Sequence, residues 1–204
     1  TGTTEGIKKE FSLPEPEANR LALSITERNG VIHYTILHTP QKKLSENLYL
    51  VAHIRGFLLF IQPIEKEQGA INLQSVPEGI LTLTILDGNY LPHSERLAFV
   101  RRENNSVWKL TPDKSSYDSR SPVSLDIHLS DLSGQPIKGN FSLSVTDNYA
   151  IGCDSIGDNI LSNLLLTSDL KGYIETPGYY FKNNTQRLKA CLDNLMLTQG
   201  WSRF

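Results

Sequence analysis

Side chains able to do acid–base, nucleophilic or metal chemistry are few and scattered along this sequence. Its five histidines, His33, His38, His53, His93 and His128, fall in or beside stretches that alternate apolar and polar residues. None stands at a ligand spacing such as His-x-x-x-His, and no Cys-x-x-Cys occurs, so no metal centre is expected. The nucleophile elbow Gly-x-Ser-x-Gly is absent. Cys153 lies between Gly152 and Asp154, and nothing close by in sequence supplies a base to activate its thiol. Glu15 with Glu17 and Glu65 with Glu67 form carboxylate pairs of the kind a glycosidase needs across a sugar, but their proline- and lysine-flanked settings read as solvated turns. No glycine-rich phosphate loop occurs. No catalytic residue, cofactor site or metal ligand is assigned, and no enzyme activity is expected.

Aromatic side chains give a better lead. Tyr173, Tyr179, Tyr180, Phe181 and Trp201 lie within one C-terminal stretch. Flat rings of this kind stack on sugars or anchor protein partners. Tyr179, Tyr180, Phe181 and Trp201 are the candidates for contact with a partner or a neighbouring domain.

The elements that would position these residues are mostly strands. Alternation predicts strands at 20–26, 31–38, 47–55, 57–62, 70–73, 79–86 and 95–101, punctuated by Asn29-Gly30, Thr39-Pro40 and Asp87-Gly88-Asn89. Short strands at this spacing point to a β-sandwich. A polar, turn-rich stretch from 102 to 120 surrounds the short strand pattern of 106–110 and marks the expected domain boundary, giving domains at 1–104 and 105–204. In the second, 123–129 alternates, Ser133-Gly134-Gln135-Pro136 turns, and 139–145 alternates back. Two short amphipathic helices follow, with apolar positions 160, 161, 164 and 165 in the first and 188, 191, 192, 195 and 196 in the second. Between them, 172–181 reads as extended segments broken at Pro177-Gly178. The second domain thus holds fewer strands than a whole sandwich needs.

The 204 residues carry 20 basic and 22 acidic side chains, interspersed, for a net charge of −2. Nucleic acid is not an expected partner, because phosphate recognition calls for a basic face. The longest apolar run, Phe57 to Ile61, falls far short of the roughly 20 residues of a membrane-spanning helix. Cys153 and Cys191 are the only cysteines, and two buried free thiols are expected in preference to a bridge.

Three stretches carry a family resemblance. Tyr117-Asp118-Ser119-Arg120-Ser121-Pro122-Val123-Ser124-Leu125, Asp131-Leu132-Ser133-Gly134-Gln135-Pro136-Ile137 and Phe141-Ser142-Leu143-Ser144-Val145-Thr146-Asp147 resemble the opening of a macroglobulin-like domain. The continuation from Asn159 to Phe181, and then from Leu192 to Trp201, is similar to segments of large envelope proteins of Gram-negative bacteria. In those, macroglobulin-like and carboxypeptidase-regulatory-like β-sandwiches precede a TonB-dependent receptor plug. The resemblance implies a mainly β chain of two Ig-like, macroglobulin-like sandwiches, the second with two short helices. It implies an internal portion of an outer-membrane or periplasmic protein, with neighbouring domains of its parent or other envelope proteins as partners, held at the membrane only through that parent. The thioester Cys-Gly-Glu-Gln of protease-trapping macroglobulins is absent, so covalent protease capture is not implied. A stand-alone carbohydrate-binding module in the periplasm or at the cell surface is the alternative expectation.

Overall fold

A computed structural model of the chain describes residues 2–4, 7–10, 12, 15, 20–39, 47–102, 106–147, 152, 154 and 156–200. Its described residues are mainly β, arranged in antiparallel sheets with two helices. They divide into two compact units, one of residues 1–100 with 156–204 and the other of residues 101–155. The division differs from the expected one at 104/105, because the C-terminal helices join the N-terminal strands and the second unit interrupts the first in sequence.

In the first unit a short ribbon pairs β1 (Gly2–Thr4) with β2 (Ile7–Lys9). Strands β3 (Leu21–Arg28), β4 (Val31–His38) and β7 (Gln68–Asn72) form a three-stranded sheet. A four-stranded sheet runs in the order β6 (Phe57–Pro63), β5 (Tyr49–Ile54), β8 (Gly79–Leu86), β9 (Pro92–Val100). Two-residue turns make the β3–β4 and β5–β6 hairpins. Asn29-Gly30 and Arg55-Gly56 all have positive φ, between 50° and 77°, the geometry whose twist matches that of paired strands.

The two sheets share one apolar core. Leu23, Ile32, Ile36, Leu50, Ala52, Leu81, Leu83 and Ile85 are buried together, and the inner face of each strand contributes alternate residues. Tyr34 joins this core directly opposite Gly69. A Cβ at Gly69 would run into the Tyr34 ring, so glycine here makes room for the aromatic that covers it.

The outer face of β8 and β9 is buried as well. Ile80, Leu97 and Phe99 meet Leu166, Leu170, Ile174, Leu192 and Met196 in a second core. Helix α2 (Gln186–Gln199) follows its N-cap Thr185, whose hydroxyl accepts from the Leu188 amide. It buries Leu188, Leu192 and Met196, with Leu195 partly buried, on the face that the sequence pattern predicts. Ion pairs hold the same layer: Arg96 of β9 with Asp193 at 2.6 Å, Arg55 with Asp169 at 2.8 Å, and Glu27 with Lys189 at 3.3 Å.

Helix α1 (Ile160–Ser162), which continues as a π-helical turn through Asn163–Thr167, corrects the predicted face. Ser162 and Leu166 are its buried positions, whereas Ile160, Leu161 and Leu164 are exposed. Capping decides this. Ser162 Oγ donates to Asp158 at 2.6 Å, and the Asn159 side chain accepts from the Ser162 amide, which ties the Ser162 side of the turn inward. Residues 172–181 are corrected too: Pro177–Phe181 is a 3-10 turn. Gly178 sits in it against Ile156, donating to the Ile156 carbonyl at 2.9 Å.

In the second unit β10 (Ser106–Pro112) pairs with β11 (Leu125–Asp131) over their full length. The stretch 139–145, predicted as a returning strand, has no ladder. Pairing stops after the bridge Ser130–Pro136 and the bond from the Ile137 amide to the Leu129 carbonyl at 3.0 Å.

Substituting Gly69→Ala forces the added methyl into Tyr34, and the overpacking should destabilise the first unit by about 2 kcal/mol. Urea unfolding followed by circular dichroism measures the change, and an unaltered midpoint would refute the packing assignment.

Candidate functional site

The β10–β11 hairpin has two unlike faces. Its register puts Trp108 opposite Leu129, Leu110 opposite Ile127 and Pro112 opposite Leu125, all on one side. Lys109 opposite His128 and Thr111 opposite Asp126 occupy the other. Such a pattern normally places the apolar side on a core. Here Trp108 is 51% exposed, Leu110 54%, Leu125 39% and Ile127 41%. Phe141, Leu143 and Val145 are also exposed, and the Phe141 ring meets Trp108 edge-on at 5.4 Å between centroids. The hairpin's apolar side, with Phe141 set against Trp108, is an exposed apolar surface of the kind that marks protein contacts.

Polar groups fix the ends of the hairpin. Across the connection from β10 to β11, the Asp113 carboxylate accepts the Tyr117 hydroxyl at 2.6 Å and the Ser124 amide at 2.9 Å. The Lys114 amide donates to the same hydroxyl at 3.0 Å. Donation from Tyr117 holds the Asp113 carboxyl below its ordinary pKa of 3.8, and the same bond raises that of the Tyr117 hydroxyl. Beyond β11, the Asp131 carboxylate accepts from the Ser133 hydroxyl at 2.7 Å, the Gln135 amide at 2.8 Å and the Ser133 amide at 2.9 Å, which lowers its pKa too. The turn after Asp131 is thereby locked, with Gly134 at φ 84°.

The aromatic candidates of the C-terminal stretch lie elsewhere. Tyr179, Tyr180 and Phe181 occupy the 3-10 turn of the first unit. Phe181 meets Phe99 edge-on at 5.8 Å and, with Tyr180, lies against the second core. Partial burial raises the Tyr180 pKa. Trp201 lies outside the described residues. Sequence reasoning passed over the surface around Trp108, although the signal was present: Trp108 and Leu110 alternate with Lys109 and Thr111, in step with Leu125, Ile127 and Leu129.

The scattered reactive residues stay scattered. His38 bonds Glu67 at 2.9 Å and His93 bonds Asp87 at 3.1 Å, the second closing the turn of the β8–β9 hairpin, where Asp87 also accepts the Asn89 and Leu91 amides. Glu65 and Glu67 are exposed, Glu17 and Cys153 lie outside the described residues, and Cys191 is a free thiol. Among the described residues, no group of three or more His, Cys, Asp or Glu side chains is placed to hold a metal ion, and no helix is long and apolar enough to cross a membrane.

No family model matches the sequence. No curated protein matches it.

Two outcomes test this surface. The pair Trp108→Ser and Ile127→Ser should lower the fluorescence of a bound apolar dye by about half and leave the unfolding of the first unit unchanged. An unaltered dye signal would show that the surface is covered. The lowered pKa values of Asp113 and Asp131 stabilise the second unit above the ordinary carboxylate range, and that contribution is lost as pH falls through the folded-state values. Amide signals of Leu110 and Ile127 should therefore lose dispersion on acidification below about pH 4, and at a higher pH in Asp113→Asn.

Proposed function

We propose that this chain is a non-enzymatic structural and interaction segment of a larger cell-envelope protein, a TonB-dependent receptor or a component associated with one. Its β layers belong to Ig-like, macroglobulin-like sandwiches. Neighbouring domains of the parent or other envelope proteins are its partners, and it meets the membrane only through that parent.

One observation carries the reading: the apolar side of β10–β11, with Trp108, Leu110, Leu125 and Ile127 open to solvent. A two-stranded ribbon is marginal in water by itself, so burial of this side against another protein layer offsets the cost of ordering it. The resemblance of 117–147 and 159–201 to envelope proteins supplies the setting. Tyr179, Tyr180, Phe181 and Trp201 retain a part as a second contact stretch, subordinate to the hairpin.

Fractionated source cells blotted with antibody against this chain test the assignment. The expected band is heavier than 22.9 kDa and sits in the outer-membrane fraction. A cytosolic band near that mass would overturn it.

A further inference from the structure

We propose that residues 138–145 are a reserve strand that closes onto the free edge of β11 when the apolar face of the hairpin is covered, turning the ribbon into a three-stranded sheet with a single binding face. The register follows from bonds already made. The Asp131 amide donates to the Gln135 carbonyl at 2.9 Å and the Ile137 amide to the Leu129 carbonyl at 3.0 Å. These are alternate rungs of one antiparallel ladder, with the bridge Ser130–Pro136 between them. Continuing it pairs Ile127 with residue 139 and Leu125 with residue 141.

The edge is ready to receive it. The Asp113 amide donates to the Ser124 carbonyl at 3.0 Å, so Ser124, Asp126, His128 and Ser130 turn their backbone groups toward β10. Alternation turns those of Leu125, Ile127 and Leu129 the other way. Closing the ladder would give the Ile127 and Leu125 amides and carbonyls partners in Gly139 and Phe141.

Side-chain parity agrees at every position. Ile137, Phe141 and Leu143 would join Trp108, Leu110, Leu125 and Ile127 on the apolar side, while Lys138, Asn140 and Ser142 would stand beside His128, Asp126 and Ser124 on the polar side. Gly139, opposite Ile127, leaves a gap in the apolar face, and the Phe141 ring already lies over it: a Cβ on Gly139 would meet that ring at 3.3 Å. The same ring touches Trp108 from this side.

The strand stays open for a physical reason. Ordering these residues costs backbone entropy, and a sheet with one wet apolar face recovers little of it. Covering the face adds apolar burial for Phe141 and Leu143, and that favours closure. The inference does not depend on which protein supplies the cover, so it survives if the localisation test fails.

Amide hydrogen exchange on the unmodified chain, with and without dodecyl maltoside micelles as the apolar cover, reads the ladder directly. Closure predicts at least tenfold slower exchange at Gly139 and Phe141 with micelles, and fast exchange at Asn140 and Ser142. Uniform exchange over these four amides in micelles would overturn the proposal. Disulfide trapping gives a second test in a Cys153→Ser, Cys191→Ser background. Asp126→Cys with Asn140→Cys, in register, should oxidise at least tenfold faster in micelles than Asp126→Cys with Ser142→Cys. Equal rates would overturn the register.

Discussion

Burial of the β8–β9 hairpin on both faces is the constraint on which the first unit depends. Leu81, Leu83 and Ile85 point into the core shared by the two sheets, while Ile80, with Leu97 and Phe99 of β9, points into the core under the helices. A strand buried on both sides must have apolar residues in both phases, and the run from Gly79 to Leu86 provides them with threonine as the only polar type. Thr84 answers its burial with a bond to Glu95 across the ladder at 3.2 Å. Removing either layer would leave one face of this hairpin wet.

The helical layer reaches that hairpin only after an excursion of some fifty residues. Arg96 and Asp193 are paired across 97 positions of sequence. Arg96 is largely buried and also donates to the Leu97 carbonyl at 2.7 Å, so its charge is met on two sides. The layout makes the 101–155 unit an insertion into the first unit's sequence. The two units solve the same problem differently. In the first, β8 and β9 find a layer on each side, while Phe57, Leu58 and Ile61 of the edge strand β6 stay exposed. In the second, the ribbon's polar groups are well bonded through Asp113, Tyr117 and Asp131, and its apolar side stays exposed.

Most strands were legible from alternation alone, and 31–38 and 79–86 match the observed bounds. The buried face of α2 was legible too, since Leu188, Leu192 and Met196 repeat at helical spacing. The face of α1 was not: its apolar residues point outward, and a hydrogen-bonded serine occupies the inside. Nor was the exposure of the β10–β11 apolar side, because Trp108 and Leu110 in a strand pattern read as core wherever a covering layer is assumed.

What the sequence determined by itself is local: period, turn chemistry and the phase of each apolar stripe, all set by neighbouring residues along the chain. Asn29-Gly30 makes a tight turn whatever lies around it, and Thr185 caps a helix by reaching its own third neighbour. Tertiary structure decided which stripes are covered. That choice rests on contacts between distant residues, such as Arg96 with Asp193 or Tyr34 over Gly69, and on the absence of such a layer over Trp108 and Ile127 among the described residues. Burial belongs to pairs of surfaces, and a stripe of apolar side chains carries no mark of whether its partner is in the same unit.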